Sequence, residues 1–228
     1  MFSQKPLTIS QAKAQLQFNE WYGNKEKYVI LDTETTGLDT NAEIVDIAVI
    51  SMSGDVLLHT FVKPIDPIPV DASVIHGITD KMVVNAPSWL DVLPQLYDVI
   101  KDKVVLIYND QFDMRMMFQS LKRYKDTNTF QQYYDALHAC YSDCVMRTYA
   151  LLKGFDRWVK LEYACGYKTE HRALGDCMAT LKVIQNSFNP KFTQAHYDEL
   201  KLYHEQIAAA NDPFASDGKP IDISDEDS

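Results

Sequence analysis

Three groups of residues in this 228-residue chain have the types and spacing to hold a divalent cation and move a proton beside it. The first is Asp32-Thr33-Glu34, directly after the apolar run Tyr28–Leu31. Side chains two apart on a strand point to one face, so Asp32 and Glu34 can converge on one cation. Like charges held that close repel, and only a solvated strand end would explain the pair structurally. Thr35, Thr36, Gly37 and Leu38 follow, offering hydroxyls, a flexible backbone and an apolar tip. Such a turn can approach a phosphate or sugar closely and lay Leu38 against a base. The second group is Asp113, a few residues beyond the run Val104–Tyr108 and in the first turn of the next expected helix. The helix dipole favours a carboxylate there, so capping and metal ligation both remain open, with Asn109 and Asp110 as competing caps or ligands. The third group is His171 and Asp176. A five-residue offset does not put two side chains on one helix face. His171 is therefore expected in the loop before a helix, with Asp176 about one turn in. Asp176 could then bind metal while His171 acts from outside the ligand shell, where an imidazole titrating near working pH suits a general base.

The elements that must carry these residues follow from periodicity and turn signals. Ile9–Trp21 has helical spacing through Ala12, Leu16 and Trp21. Tyr28–Leu31, Ile44–Met52, Val56–Val62 and Val104–Tyr108 are β-prone, and Ser53-Gly54-Asp55 marks a hairpin between the second and third. Pro64, Pro67 and Pro69 forbid regular structure until about Asp71. Ser88–Ile100 reads as an amphipathic helix with Ser88 and Asp91 placed as a capping box. Further helices are expected over Gln111–Arg123, Asp143–Leu152, Val159–Cys165, Arg172–Asn186 and Ala195–Ala210. A hairpin-bearing sheet surrounded by helices gives an α/β fold with a mixed sheet. Cys140, Cys144, Cys165 and Cys177 lack a C-x-x-C pair and read as buried thiols in helical segments.

Taken together, the three groups resemble the DnaQ-like exonucleases of the DEDDh type. The first motif is Asp32 to Leu38, the second Asn109 to Asp113 and the third His171 to Asp176, in the family's order, over roughly residues 26–188. Ile75–Thr79, followed by Met82, Ala86 and Pro87, looks like the bacterial polymerase proofreading subgroup, the epsilon-like branch. Tyr108 departs from the pattern, since many relatives carry His before the Asn. The resemblance implies an RNase H-like fold with a five-stranded mixed sheet. It also implies two Mg²⁺ or Mn²⁺ ions per active site, held by Asp32, Glu34 and Asp176, with Asp32 bridging and Asp113 helping mainly through water. His171 would be the general base, and a terminal phosphodiester would be cleaved from the 3′ end to release nucleoside 5′-monophosphates. Thr35, Thr36, Gly37, Leu38, Asn109 and His76 would grip the terminal nucleotide; for His76, packing the proline-rich loop is an equal alternative.

The expected organisation is a helical extension over 1–25, an exonuclease domain over 26–190, a packing helix over 191–210 and an acidic disordered tail over 211–228. A net charge of −10 argues against a polyanionic partner, but residues 211–228 carry −5 of it, and bound cations would reverse the field at the site. No apolar run approaches the roughly 20 residues of a membrane span, and Met1–Ser10 has no signal-like core, so the chain reads as cytoplasmic. With no polymerase sequence following, it reads as an independent small enzyme of bacterial or viral origin. Single-stranded DNA is favoured over RNA by the Ile75–Thr79 stretch. An RNA-trimming enzyme of the same family is the first alternative, and a non-catalytic polymerase- or nucleic-acid-binding module the second. Arg115, Arg123, Lys168 and Arg172 lie nearest the motifs as phosphate contacts. The terminal helices could dock a polymerase or simply cover the sheet. The tail could solubilise the chain, mimic nucleic acid or engage a basic partner.

Overall fold

The computed structural model describes residues 7–210. The acidic tail, and its expected disorder, lie outside those residues. The strands are β1 (Tyr28–Thr35), β2 (Ile44–Ser51), β3 (Val56–Phe61), β4 (Val104–Ile107) and β5 (Tyr141–Cys144), in the spatial order β3-β2-β1-β4-β5. β3, β2 and β1 are antiparallel neighbours, whereas β4 and β5 run parallel to β1. This is the expected mixed five-stranded sheet.

The helices are α1 (Ile9–Gly23), α2 (Val70–His76), α3 (Asp80–Val83), α4 (Trp89–Ile100), α5 (Asp110–Lys122), α6 (Phe130–Ala139), α7 (Val145–Lys153), α8 (Leu161–Cys165), α9 (Ala173–Ser187) and α10 (Gln194–Ala210). Thr8 and Gln11 form a capping box that starts α1, and Ser88 and Asp91 form the expected one on α4. Gly154 and Gly166 end α7 and α8 in the left-handed conformation that glycine adopts without a Cβ clash.

Strand alternation divides the core in two. Tyr28, Ile30, Ala48, Ile50 and Leu106 face α1, α7, α8 and α9. Val29, Leu31, Ile47, Val49, Val105 and Ile107 face α4, α5 and α6. By the same alternation, Asp32 and Glu34 share the face covered by α9, and Thr33 faces α5. Phe18 and Trp21 of α1 are buried in the first layer, so this helix covers the sheet. The Trp21 indole donates to Asp143 at 3.1 Å.

Two expectations about elements need correction. Asp143 and Cys144 belong to β5, not to a helix, and α7 begins at Val145. Pairing with β4, in the register Leu106↔Asp143 and Ile107↔Cys144, supplies the strand with partners that local propensity does not reveal. Cys144 is accordingly a strand residue and Cys140 is only half-buried at the end of α6, while Cys165 and Cys177 are buried in helices; all four are free thiols. The short helices α2 and α3, and α6, had no counterpart among the expected elements. Pro69 is the N-cap of α2, so the proline segment ends one residue before Asp71.

Candidate active site

β1 runs farther than its apolar core, to Thr35, because β2 continues to pair with it through Thr33↔Ile47 and Glu34↔Asp46. Asp32 and Glu34 therefore lie within a regular strand on one face. On that face α9 presents Asp176 from its first turn, and Cys177 lies against the Ile30 and Ala48 carbonyls at 3.7 and 3.5 Å. Carboxylate oxygens of Asp32, Glu34 and Asp176 all come within 4.8 Å of one another. Asp176 Oδ1 is buried with no hydrogen-bond partner among the described residues. Three acids so arranged, with a buried oxygen left free, fit an oxygen-ligated divalent cation.

The electrostatics record the cost of that arrangement. Burial pushes the Asp32 carboxyl well above its ordinary range, and the charges of Asp113, Asp176, Glu34 and Asp46 push it further. Burial, then Asp176, Asp46 and Asp113, raise Glu34 to about 8, against an opposing effect of Arg172. Burial also raises Asp176, opposed by a Thr169 hydrogen bond and by His171. Without cations this cluster disfavours its own ionised state.

Asp113 is buried in the first turn of α5 and reaches β1 from the opposite sheet face. Its Oδ1 accepts from the Thr33 backbone N–H at 3.0 Å and the Thr33 hydroxyl at 2.7 Å. It stands outside the close group of three, yet among the neighbouring charges its effect on Asp32 ranks first. Burial raises its own carboxyl, and the Thr33 bonds work against that rise. Asn109 is the N-cap of α5 but makes no side-chain capping bond.

His171 is exposed and precedes Arg172, the N-cap of α9. Its φ of 48° makes it the one non-glycine residue in the left-handed region among the described residues. Holding an L-residue there costs on the order of 1 kcal/mol. The neighbouring side chain shows what holds it. Arg172 Nε donates to Asp46 Oδ2 at 3.2 Å, and its guanidinium lies over the Phe61 ring at 5.1 Å. Asp46 is fully buried opposite Glu34, with His59 Nε2 at 3.4 Å from its other oxygen, an electrostatic contact without hydrogen-bond geometry. Sequence reasoning missed Asp46. Its signal was a single acid inside the apolar run Ile44–Met52, which a sheet buries only beside a cation.

The 35–38 turn is braced from several sides. The Thr35 hydroxyl donates to the Gly37 carbonyl at 2.7 Å, and the Thr36 hydroxyl accepts from the Glu43 N–H at 2.9 Å. His76 is buried; its Nδ1 accepts from the Ile78 N–H at 3.0 Å, so Nε2 carries the proton and donates to the Thr35 carbonyl at 3.2 Å. Both ring nitrogens are thus occupied by backbone, an arrangement that supports the packing role. Leu38 is 75% exposed at the tip, and Arg115 donates to its carbonyl at 3.4 Å. Arg123 is committed to Asp66 at 2.6 Å and lies near Glu43, whereas Lys168 is exposed.

Residues 29–184 match the family model described as Exonuclease. The chain belongs to this exonuclease family. An uncharacterized exonuclease of Escherichia phage 186 is 35% identical over 190 residues, covering 78% of this chain and 95% of that protein. A PolC-type DNA polymerase III of Thermotoga maritima is 32% identical over 161 residues, 69% of this chain but only 11% of that protein. The DNA polymerase III epsilon subunit of Buchnera aphidicola from Schizaphis graminum is 32% identical over 128 residues, with half of this chain and 55% of that protein covered. Exonuclease X, solved with 5′ overhanging duplex DNA, superposes with a TM-score of 0.50 at 25% identity, over 76% of this chain and 98% of that one. Exonuclease I with a dA16 oligonucleotide, at 19% identity and a TM-score of 0.55, covers 79% of this chain and 45% of that one and shares the fold. The DnaQ-like, epsilon-like resemblance, the RNase H-like fold and the expected 3′→5′ exonuclease enzyme are borne out. The family is metal-dependent, in keeping with the acidic cluster. Among the described residues, no helix of this exonuclease is long and apolar enough to cross a membrane.

Proposed function

We propose that this exonuclease removes the terminal nucleotide from the 3′ end of single-stranded DNA and releases nucleoside 5′-monophosphates. The carrying observation is the convergence of Asp32, Glu34 and Asp176 within 4.8 Å around a buried, unpartnered Asp176 oxygen. An all-oxygen site suits Mg²⁺ or Mn²⁺, and Asp32, Glu34 and Asp176 would hold the two ions of the active site. Bound there, the ions would supply positive charge to the reacting phosphodiester.

The chain's own residues do the rest. His171 takes the proton of the attacking water from the loop at the edge of the cluster. Arg172, anchored on Asp46, fixes that loop. Asp113 locks β1 through Thr33, which sets the direction of Asp32 and Glu34, and reaches the site through water. Thr35, Thr36 and Gly37 bring backbone and hydroxyls to the terminal sugar and phosphate. Leu38 lies against the terminal base, and Asn109 flanks it from the start of α5. DNA is favoured because the similar proteins include DNA polymerase III chains and an exonuclease solved with DNA. The exonuclease unit spans residues 26–190, and residues 191–210, which contain α10, form a separate segment whose helix packs on it.

The experiment compares DNA and RNA oligonucleotides of matched sequence, incubated with Mg²⁺ or with EDTA, with products separated by chromatography. Mononucleotide release from DNA that stops in EDTA and in Asp32→Ala is expected. Activity in Asp32→Ala near that of the unaltered chain would overturn the site, and preference for RNA would overturn the substrate.

A further inference from the structure

A cavity of about 400 Å³ opens at the carboxyl ends of β4 and β5. Its walls come from the start of α5 at Asn109 and Asp110, from α7 at Arg147 and Leu151, and from the 155–158 segment that follows α7. Ligands of open α/β sheets bind outside the carboxyl ends of the strands, and a volume of several hundred Å³ accommodates a nucleotide-sized ligand. β5 stands two strand spacings from β1, roughly 10 Å, so the cavity lies within about two nucleotide lengths of the strand that carries Asp32 and Glu34.

The lining has the two chemistries that single-stranded nucleic acid requires. Trp158 is 69% exposed on the rim, with Phe155 and Leu151 beside it. A large aromatic left in water on a preformed wall is a stacking platform for a base. The chain has five arginines. Arg123 and Arg172 are committed to carboxylates, and Arg115 donates to the Leu38 carbonyl. Among the described residues the other two, Arg147 and Arg157, have no ion pair, and both line this cavity. In a protein of net charge −10, the guanidinium groups left free are gathered at one place. Asp110 and Asp156 line it too, so the pull on phosphate comes from these two groups and not from a general positive field. Asp110 Oδ1 is buried without a hydrogen-bond partner by geometry among the described residues, with only the Cys144 thiol near its carboxylate, and can accept from a base N–H.

The wall is built into the fold. The Tyr108 hydroxyl donates to the Val159 carbonyl at 2.8 Å, tying the 155–159 segment to the end of β4. Phe155 packs edge-on against Tyr163, with ring centres 5.8 Å apart, and its N–H donates to Ala150. Tyr108, the departure from the family pattern, thereby holds up one side of the cavity.

We infer that this cavity is a second nucleotide subsite, which takes the single strand on the 5′ side of the scissile bond by stacking a base on Trp158 and pairing phosphates with Arg147 and Arg157. The inference rests on the exonuclease reading for the direction of the strand. The test measures KM and kcat on oligothymidylates of two to eight nucleotides with Mg²⁺, for the unaltered chain, Trp158→Ala, Trp158→Phe and the double variant Arg147→Ala/Arg157→Ala. A parallel arm measures anisotropy of a labelled octathymidylate in EDTA.

KM should fall with length in the unaltered chain, and Trp158→Ala should cancel that gain, raising KM for the octamer by roughly tenfold or more with a smaller change in kcat. Trp158→Phe should restore most of it. The double arginine variant should lower the salt slope of binding by about 0.7 per lost contact. Tyr203→Ala, a comparably exposed aromatic on α10, should keep the length dependence. Trp158→Ala and the arginine pair behaving like the unaltered chain in both arms would overturn the subsite, as would a KM independent of length. If no nucleotide is released at any length, the exonuclease reading fails by itself, because the anisotropy arm still decides the subsite.

Discussion

Replacing Glu34 by Gln should make the metal-free protein more stable at pH 8 and leave it nearly unaltered at pH 5. Burial and the charges of Asp176, Asp46 and Asp113 lift the Glu34 carboxyl from 4.5 to about 8. The native state therefore holds a proton that the unfolded chain has already released, and stability falls as pH rises between those values. Below 4.5 both states are protonated and the penalty vanishes; above 8 it is complete. At 1.36 kcal/mol per pH unit the penalty at pH 8 is at most roughly 4.5 kcal/mol. Glu34 is only half-buried, and water reaching it reduces this to about 1–2 kcal/mol. Gln keeps the shape and removes the charge, so Glu34→Gln should raise Tm in EDTA at pH 8 by about 2–8 °C for a domain of this size. Saturating Mg²⁺ should reverse the order, since a ligand of the native state stabilises the unaltered cluster more. Thermal unfolding by circular dichroism at pH 5 and pH 8, with EDTA or Mg²⁺, gives all four comparisons. A variant no more stable than the unaltered chain at pH 8 in EDTA would falsify the picture of three acids held together against their own repulsion.

Two further outcomes follow from the site. His171→Ala should lower kcat by about 10²–10⁴ while sparing metal-dependent binding of the oligonucleotide, and a loss below tenfold would remove His171 from proton transfer. Arg172→Ala strips a fully buried Asp46 of its hydrogen-bonded cation, leaving only the nearby His59, and should cost about 3 kcal/mol in urea unfolding at pH 7. Adding Asp46→Asn should recover most of that stability but not full kcat, because the anchor of the His171 loop stays broken; a double variant no more stable than Arg172→Ala alone would discard the ion pair as the cause.

Most of the site was legible in linear order. Asp32 and Glu34 sit two apart behind an apolar run, and period-two alternation alone places them on one face. His171 and Asp176, five apart, could not share a helix face, and the loop-then-first-turn arrangement is what the chain adopts. The hairpin and the capping box of α4 were likewise local features, written in turn residues and spacing. What stayed hidden depends on partners distant in sequence. β5 is a strand because β4 lies beside it, although Asp143 and Cys144 read locally as the start of a helix. Asp46 is tolerable inside β2 because Arg172, 126 residues later, reaches one of its oxygens and His59 stands near the other.

Asp113 marks the division most sharply. From sequence it could cap its helix or bind metal. The tertiary structure brings α5 to the face of β1 opposite α9, so the Asp113 carboxylate meets Thr33, 80 residues away, instead of joining the converging three. Sequence determined by itself which acids and which imidazole are available, because strand and helix periods fix the directions of near neighbours. Only the packing of two helices on opposite faces of one strand decided which of those acids share a site, because burial and charge act through space and not along the chain.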